Sequence, residues 1–451
     1  MKKVITYGSF DLFHEGHYNL LKRAKTLGDY LIVGVTTEQY DVSRGKMNVV
    51  DSLMRRVDNV RQAGFADEII IEDHEGQKIE DIQKHDVDIF VVGSDWKGEF
   101  DYLKEYCEVT YLERTLNISS TEIRHERMGV IRLGMVGTGR ITDRFFSEAK
   151  FVNGVEVIAA YNPNPVSAKK FGDKFGVLHE FKSYEAFLDT VDAVYVATPH
   201  ETHYDYSRQA LICGEHVLCE KPMVLSATQA RELYEIANEN KLVLMEAVKT
   251  AYAPGFLNLL AIARGGRIGR VYDVEAAFTK LTKFGPDVRE YTPGTGGSFT
   301  ELASYSLLPI VKLLGHEYKE VFFDSFPAPN GSDMYSKAYF TYDNATATAK
   351  SGLGVKSEGQ LLVSGTKGYI LVKSPWWLIK SFQVCYENPE DNENFSAPFP
   401  GPGLRYEISD FIRNIADPTL QNFKFTPEDS IFMSEIMEKF LEHSNYINGG
   451  N

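Results

Sequence analysis

Only four cysteines occur among 451 residues, Cys107, Cys213, Cys219 and Cys385. None stands in a Cys-x-x-Cys spacing, so small buried thiols in a reducing compartment are favoured over a disulfide framework or a structural metal site. No apolar run approaches the roughly 18 residues that a membrane-spanning helix needs. The opening Met-Lys-Lys-Val-Ile-Thr-Tyr-Gly turns polar too early for a secretory signal. Positive charge is short as well: 48 basic residues against 63 acidic ones give a formal net charge of −15. A surface of that sign repels nucleic acid and anionic membrane, so neither is expected as a partner. Anionic nucleotides must then be held by local cations and backbone amides. These absences point to a cytoplasmic protein acting on small molecules.

What is present suffices for several cores. Hydrophobic residues make up 43% and charged residues 25%, an ordinary globular balance. The length allows two or three domains of roughly 100–200 residues. Strand-like runs at Val4–Tyr7, Tyr30–Val35, Glu68–Ile71, Ile89–Val92 and Val109–Leu112 alternate with helical stretches at His17–Leu27 and Ile79–Lys84. That alternation predicts a parallel α/β sheet covered on both faces. After a polar break near Arg124–Met128 the pattern restarts, with strands at Val130–Val136, Val155–Tyr161, Ala193–Ala197 and Val243–Glu246 and a helix at Ala227–Asn238. The remainder changes character. Turn-separated strands from Val271 to Val372 read as an antiparallel sheet, with helices at Ser306–Leu314, Tyr406–Ala416 and Glu428–Glu442. The expected domains are therefore 1–127, 129–250 and 251–445.

Three features converge in the first domain. Gly8-Ser9-Phe10-Asp11 follows a strand, His14-Glu15-Gly16-His17 leads into a helix, and Arg114-Thr115 precedes Ser119-Ser120-Thr121-Glu122. Two histidines three apart at a strand-to-helix turn can both point at one phosphate, beside free amides and the positive end of a helix dipole. Nucleotidyl transfer needs such stabilisation of charge on a crowded α-phosphate. The plainer reading is two surface histidines that cap a helix. Ser119 and Glu122 form a capping box, and the same hydroxyls at Ser119, Ser120 and Thr121 can cradle phosphates.

Residues 1–125 resemble bacterial glycerol-3-phosphate cytidylyltransferases from end to end. The resemblance runs through Tyr7–Asp11, the His14/His17 pair, Leu21–Tyr30, Gly93-Ser94-Asp95-Trp96, Tyr106–Tyr111 and Arg114–Thr121. It implies a Rossmann-like nucleotidyltransferase domain that turns Mg²⁺-bound CTP and an alcohol phosphate into a CDP-alcohol and pyrophosphate. His14 and His17 would stabilise the transition state. Gly8, Ser9, Phe10, Asp11, Lys46, Arg55, Asp95, Arg114, Ser119, Ser120 and Thr121 would meet nucleotide or phosphates, although Lys46 and Arg55 also read as solvated surface cations. Ser94-Asp95 stands where many members have two acidic residues, and Leu116-Asn117 where Glu-Gly is usual. These departures leave the acceptor open, as does the choice between CTP and ATP on the histidine pair alone.

The second half carries Gly137-Thr138-Gly139-Arg140-Ile141-Thr142 after a strand, then Thr198-Pro199-His200 and His203, then Glu220-Lys221-Pro222. A glycine turn between strand and helix is where a dinucleotide pyrophosphate binds. Asn162, at the end of the next strand, replaces the carboxylate that would read the ribose, so NAD and NADP both remain open. A lysine beside a proline can move the proton when hydroxyl and carbonyl interconvert. Taken singly, Glu220–Lys221 is an ordinary surface pair and the histidines ordinary loop polars. In this order the motifs resemble the Gfo/Idh/MocA family of oxidoreductases over about residues 130–445. The resemblance implies a Rossmann domain followed by an α+β domain whose open sheet forms the substrate face and often the contact of a homo-oligomer. It maps the catalytic lysine onto Lys221 and a later motif onto Gly296–Tyr305, with Glu301 where Asp is usual and Tyr305 as a second proton-transfer candidate. Gly137, Thr138, Gly139, Arg140, Ile141, Asn162, Thr198, Pro199, His200, His203 and Glu220 would face the cofactor. The expected activity is a cytidylyltransferase fused to an NAD(P)-dependent dehydrogenase or reductase of a sugar, polyol or their phosphate. The Glu301 exchange keeps open a silent, cofactor-binding second half.

Overall fold

The computed structural model describes residues 1–49, 51–113, 130–285, 287–420, 422–443 and 445–446. β1 (Lys3–Gly8), β2 (Tyr30–Thr36), β3 (Glu68–Glu72), β4 (Ile89–Gly93) and β5 (Glu108–Leu112) form one sheet in the order β3-β2-β1-β4-β5, every pair parallel. Successive side chains of a strand leave on opposite faces. Val4 accordingly packs with Leu21, Ala24, Val57 and Val60 under the helices Glu15–Lys25 and Leu53–Ala63. Ile5 packs with Ile82, Phe90 and Leu103 on the other face. With both faces covered, the strands read as unbroken apolar runs.

β6 (Ile131–Val136), β7 (Val155–Tyr161), β8 (Ala193–Val196), β9 (His216–Glu220) and β10 (Leu244–Ala247) make a second sheet in the order β10-β9-β8-β6-β7. The helix Arg140–Ala149 follows β6 directly. The third sheet has nine strands among the described residues. Its central part runs β15 (Leu361–Gly365), β11 (Val271–Thr279), β14 (Thr346–Gly352), β13 (Asp333–Thr341) and β12 (Glu320–Pro327). Among these β11 and β14 pair parallel, so the expected antiparallel sheet is a mixed one. The strands Ser381–Tyr386 and Glu393–Ser396, at one end of it, were not anticipated.

The helix over this sheet also departs from expectation. It starts at Ser298 rather than Ser306 and runs to Leu314. Its first two turns, from Ser298 to Tyr305, interleave Ser, Thr and Glu with Phe299 and Leu302, which hides them from an apolar-periodicity reading. The cap comes from far away in sequence: Asp333 accepts from the Phe299 N–H at 2.9 Å and from the Ser298 hydroxyl. That extension places the Glu301–Tyr305 segment on the helix.

By packing, the chain falls into two compact units, Met1–Gly134 with Phe145–Val191, and Met135–Arg144 with Asp192–Asn451. Among the described residues no helix is long and apolar enough to cross a membrane.

Candidate active sites

β1 ends at Gly8, and the chain then turns into the helix Glu15–Lys25. Two turn residues sit at positive φ, Phe10 at 50° and Leu12 at 44°. Such backbone costs about 1–3 kcal/mol each and persists only where the surroundings impose it. The Phe10 ring is buried in the core and lies 5.3 Å from the His17 ring. A Cβ on Gly8 would stand 3.1 Å from that ring, so glycine gives it room. Arg56, fully buried, donates to the carbonyls of Ser9 at 2.8 Å, Thr36 at 2.9 Å and Asp51 at 3.0 Å, pinning the turn.

The histidine pair does cap the helix. His14 Nδ1 accepts from the Gly16 N–H at 3.0 Å, and His17 Nδ1 accepts from the His14 N–H at 3.4 Å. The rings stack with centroids 3.9 Å apart. A neutral imidazole carries one proton, and with Nδ1 accepting it resides on Nε2. Capping and ligand contact thus use different nitrogens of the same rings. Both histidines line a pocket of about 640 Å³, together with Gly8, Ser9, Phe10, Asp11, Lys46 and Asp95. Asp11 is oriented by the Asp51 N–H at 2.7 Å.

Arg55 is not brought to this pocket. Its side chain is 74% exposed and pairs with Asp51 at 3.2 Å. A step of one residue turns a helix by about 100°, so when Arg56 points inward Arg55 points out. Arg114, Ser119, Ser120 and Thr121 lie outside the described residues. Sequence reasoning missed Arg44, Glu72 and Lys78, which line the same pocket. Lys78 is buried on the Glu72 carboxylate, its ammonium 4.6 Å from the centre of the Tyr7 ring. Burial lowers its pKa, and Glu72 opposes the shift. No motif marks this lysine; it reads as the solvated start of a helix.

The second candidate site gathers the motifs of the other half. Gly137 has φ of 98°, and a Cβ there would strike the Ala197 carbonyl oxygen at 2.4 Å; a Cβ on Gly139 would meet nothing. A turn closed against protein at its first glycine and open at its second fits a dinucleotide pyrophosphate. Thr138 and Ile141 are half-buried around it, and Arg140 is exposed, 3.8 Å from Glu290. Asn162 accepts from the Asn164 N–H at 2.9 Å, which shapes the turn after β7. The Thr198 hydroxyl accepts from Thr202 at 2.8 Å, and Pro199 leads into the turn His200–Thr202.

Lys221 Nζ donates to the Glu301 carbonyl at 3.0 Å and lies 5.7 Å from the centre of the Tyr305 ring. The extended helix Ser298–Leu314 is what delivers both partners. Glu301 itself is held in a two-pronged ion pair by Arg289, at 3.0 and 3.1 Å, with His200 Nε2 at 3.7 Å. Burial, then Lys221, hold the His200 imidazole well below its usual pKa, so it is neutral. His203, fully enclosed, spans the Pro222 and Thr198 carbonyls at 2.9 Å each, and burial lowers its pKa. Glu220 accepts from the Tyr195 hydroxyl at 2.5 Å. Burial, then Glu220 and Glu407, push the Tyr305 phenol upward, so it keeps its proton at neutral pH. Glu407, unmarked in the sequence, is fully buried, and among the described residues neither of its oxygens has a hydrogen-bond partner. Burial and then Glu220 raise its pKa well above the usual range, while Lys249 draws it down.

Comparison with known proteins assigns the two halves separately. The Cytidylyltransferase-like family matches residues 5–126. The Oxidoreductase family, NAD-binding Rossmann fold, matches residues 131–248, and the GFO/IDH/MocA C-terminal domain matches residues 256–371. The glycerol-3-phosphate cytidylyltransferase of Bacillus spizizenii is 55% identical over 126 residues, 28% of this chain and 97% of that enzyme. The scyllo-inositol 2-dehydrogenase (NADP(+)) of Bacillus subtilis is 28% identical over 326 residues, 69% of this chain and 96% of that enzyme. A 3-ketoreductase from Actinomadura kijaniata, solved with NADP and TDP-benzene, shares the fold of the second half with a TM-score of 0.63 at 23% identity, over 70% of this chain and 98% of that one. The chain therefore joins, in one polypeptide, a member of the glycerol-3-phosphate cytidylyltransferase family to an NAD(P)-dependent oxidoreductase of the Gfo/Idh/MocA family.

Proposed function

We propose that the first half transfers the cytidylyl group of Mg²⁺-bound CTP to glycerol-3-phosphate or a similar polyol phosphate. An oxygen of the acceptor phosphate bonds to the α-phosphorus, the α–β bridging bond breaks, and pyrophosphate leaves with the electron pair. His14 and His17 stabilise the charge that builds on the α-phosphate by donating from Nε2, and Gly8–Asp11, Lys46 and Asp95 hold the nucleotide. The observation that carries this reading is the pair of capped, stacked imidazoles at the mouth of the turn, in a chain segment 55% identical to a standalone cytidylyltransferase.

In the second half, Gly137–Ile141, Asn162, Thr198–His200, His203 and Glu220 would hold NAD or NADP, which supplies the two-electron exchange when bound. Lys221 holds or donates the proton at the reacting oxygen of a sugar, polyol or their phosphate, and Tyr305 supports it as a protonated phenol. A second reading, a silent cofactor-binding half, draws on one observation: Glu301 is fully engaged by Arg289. The three proposed domains are 1–127, 129–250 and 251–445, working in the cytoplasm as a homo-oligomer that supplies a precursor for a cell-wall polymer.

The deciding assay is pyrophosphate release from Mg·CTP, with ATP as control, across a panel of polyol and keto-sugar phosphates with and without NADH or NADPH. Release with CTP and glycerol-3-phosphate alone marks an independent CDP-glycerol synthase. Release only when a carbonyl phosphate and reduced cofactor are both present marks a two-step synthase. Release from no acceptor sinks the reading.

A further inference from the structure

Among the described residues, the pocket that holds the histidine pair is lined from beyond residues 1–113 as well. A turn that joins the helix Arg140–Ala149 to β7 forms one of its walls. Met47 and Val152 form a parallel β-bridge, with the Met47 N–H donating to the Phe151 carbonyl at 2.6 Å and the Asn153 N–H donating to the Met47 carbonyl at 2.9 Å. Val152 is 3% exposed, so this contact is packed rather than grazing. Phe151 meets Trp96 edge to face at 5.6 Å.

Two side chains of the turn reach groups of the site. Asn153 Nδ2 donates to Asp11 Oδ2 at 2.7 Å, while the other Asp11 oxygen takes the Asp51 N–H. The Lys150 ammonium lies 4.1 Å from the centre of the Trp96 ring and 3.5 Å from Glu99, and its carbonyl receives Lys46 Nζ at 2.9 Å. A 126-residue alignment already spans 97% of the standalone relative, which therefore has no chain left to supply such a turn.

We propose that Asn153 and Lys150 belong to the cytidylyltransferase site of this chain, Asn153 as a positioning residue for Asp11 and Lys150 as a cation at the mouth that takes an anionic group of the acceptor. The inference rests on the proposed cytidylyl transfer. The Asn153 amide holds the Asp11 oxygen that the Asp51 N–H does not, and so helps to fix the carboxylate that a nucleotide must meet. Lys150 adds a charge, held over an indole, to a pocket that Arg44, Lys46 and Lys78 also line. The acceptor is thereby a specificity choice of the fused chain: a phosphorylated polyol with a further anionic or polar end reaches Lys150.

The test uses the full chain and three variants, Asn153→Ala, Asn153→Asp and Lys150→Ala. Pyrophosphate release is followed with glycerol-3-phosphate and larger polyol phosphates, and NADPH binding by fluorescence is followed alongside. Asn153→Ala should lower kcat about 5-fold, the worth of one hydrogen bond, with little change in the KM for the acceptor. Lys150→Ala should raise the acceptor KM about tenfold with kcat unchanged, as loss of a charge-assisted contact predicts. In Asn153→Asp two carboxylates face each other and cannot both ionise. Its activity relative to wild type should therefore be lowest at high pH and recover as pH falls and the pair takes up a proton.

Unchanged kcat and KM in both alanine variants overturns the assignment. So does a joint loss of cytidylyl transfer and NADPH binding with no recovery of Asn153→Asp at low pH, which marks the turn as scaffold only. His17→Ala separates this from failure of the parent reading. If it abolishes release while the turn variants do nothing, only the present inference falls; if the unaltered chain releases no pyrophosphate, both fall.

Discussion

In the pocket at the end of β1, ionisable groups are given partners by the backbone and by one another, whereas around Lys221 a carboxylate, Glu407, is buried with neither oxygen bonded among the described residues. Asp11 is fixed by the Asp51 amide and the Asn153 side chain, and the two imidazoles by helix-end amides. Around Lys221, His200 is driven neutral and Tyr305 and Glu407 are driven to hold protons. Burial also lowers the pKa of Lys78 in the first pocket, but that lysine sits on the Glu72 carboxylate, whereas Glu407 has no such partner among the described residues. This difference fits the chemistry proposed for each half. A transferring phosphoryl group carries its own charge and asks for donors already in place, with little proton traffic. Interconversion of a hydroxyl and a carbonyl moves a proton, and that asks for groups poised away from their ordinary range.

The strongest way to break this comparison is a crossed pair of substitutions. His17→Ala should lower cytidylyl transfer about 10²–10³-fold, the usual cost of one preorganised donor to developing charge. Its effect on cofactor-dependent turnover should be negligible. Lys221→Ala should do the reverse, lowering turnover of the cofactor by about 10²–10⁴-fold and leaving pyrophosphate release alone. Parallel rate measurements on both variants check the pattern. If no substrate of the panel turns the cofactor over in the unaltered chain, the second half is silent and its shifted groups are structural; if turnover survives Lys221→Ala, the lysine is not the proton-transfer group.

A smaller effect sharpens the same contrast through stability. Glu246, 1% exposed at the end of β10, is pushed up to about 7 by burial, while its bonds from the Ser430 hydroxyl and the Met223 N–H at 3.0 Å pull the other way. A carboxyl raised in the folded state contributes stability that is fully present below its unfolded pKa and is lost as pH rises through the folded one. The window here runs from 4.5 to about 7, and a shift of that size corresponds to about 3 kcal/mol. Glu246→Gln keeps an acceptor for Met223 and cannot ionise. Its denaturant midpoint should therefore gain on the wild type as pH is raised from 5 to 8. Parallel pH dependences in the two proteins would show that Glu246 stays ionised.

How much of this was legible in the sequence depends on where each partner lies along the chain. Gly8–Asp11, the histidine pair, the Gly137 turn and Lys221 are local strings at strand ends, and the structure brings each to a turn. The helix cap at Ser298 was not legible, because Asp333 supplies it from 35 residues away. Arg289 and Glu407 were missed for the same reason: their meaning is the residue they face or fail to face, not their neighbours in sequence. Lys78 and Asn153 likewise gain significance only from Glu72 and from Asp11. The parallel β11–β14 pair escaped because strand direction is set by the crossover between them, which a period-two pattern does not record.

The smallest expected effect belongs to Arg55, and it tests whether helix phase or motif resemblance is the better guide. The resemblance assigns Arg55 to the nucleotide, yet its side chain is 74% exposed and pairs with the Asp51 carboxylate at 3.2 Å. Exposed ion pairs of this kind contribute about 0–1 kcal/mol. Asp51 keeps its bond from the Leu12 N–H at 3.2 Å, so the turn at Phe10–Leu12 does not depend on the arginine. Arg55→Ala should leave the KM for CTP within about twofold at moderate salt, where exposed charges are screened beyond about 10 Å. A rise of tenfold or more would mean that the helix Leu53–Ala63 rotates or closes when nucleotide binds, carrying Arg55 into the pocket. The first site would then be assembled by its ligand, and the contrast between a pre-set phosphoryl site and a poised proton-transfer site would lose its first half.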